Sequence, residues 1–129
     1  MVAVDTNVLV RFLVKDDLEQ FQRAEQLFQA HEIYIPDTVL LETEWVLRFA
    51  YRLPPDAIAQ GFLLLLGMEN VNVRDAFAVK QALDWFAQKM DFADAWHLAL
   101  SQSCGRFATF DDKLIKRAQG KGDCQTFEP

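Results

Sequence analysis

The sequence predicts an α/β fold, a three-layer α/β/α sandwich around a mostly parallel sheet of four to five strands. Short apolar runs alternate with segments of helical spacing along the whole chain. Glycine and proline are few, five and four in 129 residues, which argues for helices over an all-β sandwich. Half of the residues are hydrophobic, with eleven Phe and three Trp, enough to fill the core such layers need. Strands separated by helices pair in parallel, with helices on both faces.

Val2–Val4 is an apolar run too short for anything but a strand. Asp5-Thr6-Asn7 follows with ordinary cap chemistry, and Val8 to Val14 is helix-compatible. Asp16-Asp17 starts a second helix, in which Leu18, Phe21, Ala24, Leu27 and Phe28 recur at helical spacing. Ile33-Tyr34-Ile35-Pro36 is a short strand that Pro36 ends. Asp37 or Thr38 caps the next helix, which runs to about Tyr51. Pro54-Pro55-Asp56 breaks it and starts another, Ala57 to about Met68. Val71–Val73 reads as a strand, and Phe77–Lys89 and Phe92–Ser103 as helices, the second ended by Gly105. Arg106–Phe110 is a fourth strand, Asp111–Ala118 a last helix, and Gln125–Phe127 a weak edge strand. No repeat, low-complexity segment or linker interrupts this order, so residues 1–129 read as one domain.

Cys104 and Cys124 match no zinc or redox spacing and suit a reducing cytoplasm. No signal peptide is expected, and the run Phe62–Leu66 is far too short to span a bilayer. A net charge of −6 argues against a broad basic face for nucleic acid. It leaves open a nuclease whose phosphate contact runs through bound metal ions. The charge is uneven: Gly105 to Gly122 holds five basic residues against two acidic ones.

In open α/β sheets, ligands bind at the carboxyl ends of the strands. Asp5 follows the first strand and Asp111 the fourth, so a parallel sheet brings both to one edge. Glu42, in the helix after the second strand, is close enough to reach it. Asp94 lies in the first turn of the helix before the fourth strand. Each acid also has a plainer account. Asp5 and the pair Asp111-Asp112 suit helix caps, Asp91 and Asp94 resemble a capping box, and Glu42 and Glu44 suit a solvated helix face. Capping explains each acid singly and is indifferent to their convergence. Four crowded carboxylates repel and raise one another's pKa unless divalent cations neutralise them. Hard oxygen ligands suit Mg²⁺ or Mn²⁺, and such a cluster activates water for in-line phosphoryl displacement.

Four stretches, Val4-Asp-Thr-Asn-Val-Leu-Val-Arg11, Leu40-Leu-Glu-Thr-Glu-Trp-Val-Leu-Arg48, Asp91-Phe-Ala-Asp-Ala95 and Thr109-Phe-Asp-Asp-Lys-Leu114, resemble the four signatures of PIN-domain ribonucleases. They are similar in particular to the VapC toxins of bacterial toxin–antitoxin pairs. The match spans essentially the whole chain in the right order. Any one motif is weak, and the four together are specific. The resemblance implies that Asp5, Glu42, Asp94 and Asp111 form the catalytic acidic quartet that binds Mg²⁺ or Mn²⁺. Asp94 matches the third acid better than Asp91, because the family's acid lies inside the helix before an Ala. The doubled acid Asp111-Asp112 leaves the fourth ligand's identity open. By the same resemblance Thr6 and Asn7 hold the site's geometry and Thr109 orients the end of the fourth strand. It further implies endonucleolytic cleavage of single-stranded or loop RNA to a 5′-phosphate and a 3′-hydroxyl, a homodimer or higher assembly, and a cognate antitoxin over the active site.

Other features carry less. His97 shares a face with Asp94, but no second histidine is nearby to make a zinc site. Lys113, Lys116 and Arg117 share a helical face as either solvated charge or phosphate contacts, and Arg11 is a candidate to touch RNA or antitoxin. Trp45, Phe49, Trp85 and Trp96 fall at helical spacings expected of core rather than base-stacking positions. The Phe62–Leu66 run is apolar all round its helix, which implies burial on more than one side. A phosphoacceptor receiver domain would place an acid pair after the first strand and a lysine after the last, and neither is present. A haloacid-dehalogenase phosphatase would carry an Asp two residues after its nucleophile, where Asn7 stands. The remaining alternatives are a non-toxin PIN-like nuclease of RNA processing and a non-enzymatic α/β binding module whose acids only cap helices.

Overall fold

The first three apolar runs pair with one another in the computed structural model, which describes residues 1–129. Val2–Ala3 (β1), Ile33–Tyr34 (β2) and Val71–Asn72 (β3) form a parallel ladder in the order β1-β2-β3. The register sets Val2 opposite Ile33 and Ile33 opposite Val71. Bonds from the Val4 amide to the Tyr34 carbonyl (3.2 Å) and from Ile35 to Asn72 (2.9 Å) extend the pairing one residue further. Helix starts then end it.

Seven α-helices complete the chain: Thr6–Val14 (α1), Leu18–Ala30 (α2), Asp37–Phe49 (α3), Pro55–Leu66 (α4), Ala76–Ala87 (α5), Phe92–Leu100 (α6) and Asp112–Ala118 (α7). The chain divides into two compact units, Met1–Ala76 and Phe77–Pro129. In residues 1–76, Lys15 in the left-handed region (φ 60°) stops α1, and the Asp17 carboxylate caps α2 through the Gln20 amide. Phe12 stacks on the buried Phe28 with centroids 4.1 Å apart, and Ile33, Ile35 and Phe62 are buried as well. Each such burial is worth about 1.5–3 kcal/mol.

In residues 77–129, Phe86 meets Phe92 edge-on at 5.5 Å, and Leu83 and Leu98 are buried as well. Arg106–Ala108 (β4) and Gln125–Phe127 (β5) form a parallel two-stranded ladder of their own. Gly120 and Gly122, at φ 75° and 71°, turn the chain back from α7 into β5. The second glycine is fixed by space, since a side chain there would collide with the Gln102 carboxamide, which accepts the Asp123 and Cys124 amides.

The α/β class, the element order and the parallel pairing are as the sequence predicts. The hydrogen-bonded strands form three-strand and two-strand ladders rather than one ladder of four or five, because β4 pairs with β5.

Several local expectations are corrected. Pro36 is the N-cap of α3 and offers no side-chain bond; Asp37 instead pairs with Arg74 at 2.7 Å. The α6 helix stops at Leu100 rather than Ser103. Ser101 and Gln102 turn their side chains onto the His97 and Leu98 carbonyls, and a short 3₁₀ turn, Gln102–Cys104, follows. Trp85 and Trp96 are core, as expected, but Trp45 and Phe49 are 56% and 55% exposed. In the Phe62–Leu66 run, only Phe62 and Leu65 are buried; Leu63 and Leu64 are exposed. Glu44 is no solvated charge: it is buried and ion-paired with Arg48 at 2.9 Å, an (i, i+4) spacing already present in the sequence.

Candidate active site

The first acids come together in residues 1–76. Asp5 is the N-cap of α1, in extended backbone, and its carboxylate accepts the Thr6 amide at 2.8 Å. The buried Thr6 hydroxyl donates to the Glu42 carboxylate in a short hydrogen bond, joining the start of α1 to the second turn of α3. Asp5, Thr6, Asn7 and Glu42 line one open cleft of about 340 Å³. Both carboxylate residues are exposed. Thr6 thus bonds Glu42 directly, while Asn7 makes no comparable bond and simply lines the cleft.

Arg11 lines this cleft as well, but its guanidinium is engaged. It meets Asp16 at 2.9 and 3.0 Å, the Tyr51 hydroxyl at 2.9 Å and Gln20 at 2.6 Å. The Tyr51 hydroxyl in turn donates to Asp16 at 2.8 Å. The Tyr51 bond, followed by that of Arg11, holds the Asp16 carboxyl below its ordinary pKa. Sequence reading missed this tie between α1, the α1–α2 turn and the end of α3. The only trace of it is a tyrosine placed just past the helix.

The remaining acids lie in residues 77–129. Asp91 is the N-cap of α6 and accepts the Asp94 amide at 3.2 Å. Asp94 stands one turn into α6 and is partly buried. Desolvation raises its pKa, and the charges of Asp91 and then Asp111 raise it further, opposed by His97. Asp111 is the N-cap of α7 and accepts the Lys113 and Leu114 amides at 2.9 and 3.3 Å. The Thr109 hydroxyl accepts the Asp111 amide at 3.0 Å, which fixes the turn out of β4. Of the Asp111-Asp112 doublet, Asp111 is the member whose charge is felt at Asp94; Asp112 is an exposed first-turn residue of α7. Lys113 and Lys116 are exposed, and Arg117 is partly committed, donating to the Lys89 carbonyl at 2.8 Å.

Capping therefore accounts for the local bonding of Asp5, Asp91 and Asp111. It does not account for Glu42, in mid-helix and bonded to Thr6, or for Asp94, whose charge its surroundings disfavour.

The family model of the PIN domain matches residues 2–121, nearly the whole chain. The chain belongs to the PIN domain family. No curated protein matches it closely enough to be named as a relative. Membership makes this PIN domain a nuclease-class hydrolase with nucleic acid, RNA in particular, as its substrate class. The family's nucleases use divalent metal ions, and the donors present fit such an ion in kind. They are carboxylate oxygens, hard ligands, and among them Asp94 carries a repulsion that a cation relieves. No three His, Cys, Asp or Glu side chains form a ready-made metal cluster. No helix is long and apolar enough to cross a membrane.

Proposed function

We propose that the chain is an endoribonuclease of the VapC toxin type, in which Asp5, Glu42, Asp94 and Asp111 act together in one domain to hold Mg²⁺ or Mn²⁺. The observation that carries this reading is the cleft where Asp5 and Glu42, from separate helices, stand side by side with the Thr6 hydroxyl on Glu42. A divalent cation held by these carboxylates would supply charge neutralisation at the scissile phosphate and a water of lowered pKa. Asp5 presents its oxygens from the start of α1 and Glu42 from the second turn of α3, and Thr6 keeps Glu42 in one orientation. Thr109 does the same for the backbone that carries Asp111. The water oxygen attacks phosphorus in line, the bond to O3′ breaks, and the proton passes to that oxygen. The products are a 5′-phosphate and a 3′-hydroxyl on single-stranded or loop RNA.

The partners in this reading are a cognate antitoxin covering the active site and a second copy of the chain, on the strength of the resemblance to VapC toxins. A non-toxin PIN nuclease of RNA processing shares the same chemistry and lacks the antitoxin. The non-enzymatic alternative draws support from the caps made by Asp5, Asp91 and Asp111.

Purified protein, free of antitoxin, is incubated with total RNA with and without Mg²⁺ or Mn²⁺. Metal-dependent fragments are expected, and their loss in Asp5→Asn protein, because Asn caps a helix as well as Asp but carries no charge. Fragments that persist unchanged in the variant place the chemistry elsewhere. Calorimetric titration that detects no Mg²⁺ or Mn²⁺ binding favours the capping module. Induced expression alone is expected to halt growth, with relief by Asp94→Asn; equal growth arrest from both proteins removes the toxin assignment.

A further inference from the structure

The acid face of α3 does not end at Glu42. Counting 100° per residue, Trp45 and Phe49 lie within about 60° of Glu42 around the helix, and seven residues of rise carry Phe49 about 10 Å along it. All three side chains are exposed. The Trp45 and Phe49 rings are adjacent, with centroids 5.1 Å apart and planes inclined at 45°. Arg48, itself paired with Glu44, lies 4.7 Å over the Phe49 ring and fixes it in place. Exposing two large aromatic side chains on one helix costs burial that the core would otherwise gain.

Other exposed apolar side chains of residues 1–76 lack this combination. Leu63 and Leu64 on α4 are aliphatic, whereas the exposed Trp45 ring, flanked by a Phe49 ring with Arg48 over one of its faces, lies in line with a cleft-lining carboxylate. We propose that Trp45 and Phe49 form a stacking platform for unpaired bases of an RNA strand whose scissile phosphate lies at Glu42. The proposal rests on the ribonuclease reading and names what that reading lacks, a surface that holds the strand. It also answers a difficulty in the composition. A chain of net charge −6 has no broad basic face to grip phosphates, and base stacking binds single strands without needing one. Because every base has a π-face, the platform selects single-stranded over duplex RNA rather than one sequence over another.

Trp45 gives the test a built-in probe. Trp85 and Trp96 are each only 4% exposed, so quenching by an added oligonucleotide reports on Trp45. Full-length protein in EDTA is titrated with hexaadenylate, hexauridylate and a short RNA duplex. Quenching by the single strands and not by the duplex is expected, with loss of the signal and about tenfold weaker binding in Trp45→Leu. Phe49→Leu keeps the probe and is expected to weaken binding severalfold. In cleavage assays both variants raise KM while kcat stays near that of the parent.

Absence of quenching, or Trp45→Leu and Phe49→Leu proteins that bind single strands as tightly as the parent, overturns the platform. A fall in sedimenting mass in Trp45→Leu with RNA binding retained also overturns it and makes the pair a protein interface. The two readings fail separately. Metal-dependent cleavage without quenching sinks the platform alone, and quenching without cleavage sinks the nuclease alone.

Discussion

In both units acids cap helices, but only residues 77–129 set like charges against a partly buried carboxylate. In residues 1–76, Asp5 receives a backbone amide and Glu42 the Thr6 hydroxyl, so each charge faces a donor. In residues 77–129, Asp94 is withdrawn from water with the charges of Asp91 and Asp111 set against it. Asp91 and Asp111 accept backbone amides too. A carboxylate whose ionised form is disfavoured has most to gain from a cation, and one already hydrogen-bonded is better oriented for it. The contrast therefore separates Asp94 from the acids that are already held by donors.

The largest expected effect sharpens that division within the Asp111-Asp112 doublet. Asp111→Asn keeps the α7 cap and removes one of the charges felt at Asp94, so RNA cleavage should fall about a hundredfold or more, while Asp112→Asn stays within about threefold. Measured rates that fall equally would spread the fourth ligand over both residues. Next comes Thr6→Val, which removes the donor to Glu42 at nearly constant volume. Cleavage or metal affinity should fall about tenfold with little change in Tm, because the freed carboxylate is exposed to water. Unchanged activity would mean that the tie to Glu42 serves folding alone.

Asp94→Asn breaks the comparison from the stability side. The folded-state pKa of Asp94 is raised above the unfolded one, so its contribution to stability is fully present below the unfolded pKa and is lost as pH rises through the folded value. In EDTA the Asn variant should therefore melt about 2 °C or more above the parent near neutral pH, with the gap closing in acid. The matching Asp5→Asn protein should melt like the parent at both. Divalent metal should raise the parent's Tm and largely fail to raise that of Asp94→Asn. A variant less stable than the parent at neutral pH would mean that Asp94 is a structural charge and the repulsion is offset within the fold.

The legible part of this protein was what is local. Short β runs and most helix starts depend on neighbours in sequence, and those stand where the pattern placed them. The illegible part was which side of a helix faces out. Trp45 and Phe49 have the spacing and hydrophobicity of core residues, and nothing local distinguishes them from Trp85 or Trp96. Burial of Glu44 beside exposed Glu42 is equally a tertiary decision, offset by Arg48 one turn on. The division of strand pairing between two ladders was hidden because it depends on β5, three residues beyond the matched region. The roles of Asp5 and Asp111 were open in the sequence because the same residue types cap helices and bind cations, and the structure displays the caps directly.

The smallest expected effect concerns Tyr51, which ties Arg11 and Asp16 at one side of the cleft in residues 1–76. Tyr51→Phe removes the hydroxyl that donates to Asp16 and accepts from Arg11, leaving the ring in place. Both charged partners are solvent-accessible, so water replaces much of what is lost and Tm should fall by only about 1–2 °C at neutral pH. The pH dependence is the sharper readout. Asp16 has a depressed folded-state pKa, so its contribution to stability is present above the unfolded pKa and is lost as pH falls through the folded value. The deficit of Tyr51→Phe should therefore shrink toward zero in strong acid. Because the hydroxyl also helps hold Arg11, its loss leaves the guanidinium on Asp16 and Gln20 with one fewer partner, and single-stranded RNA should bind the variant slightly more tightly. Weaker binding instead would show that Arg11 must be held by Tyr51 to meet the strand, which would place this network with the positioning devices of residues 1–76.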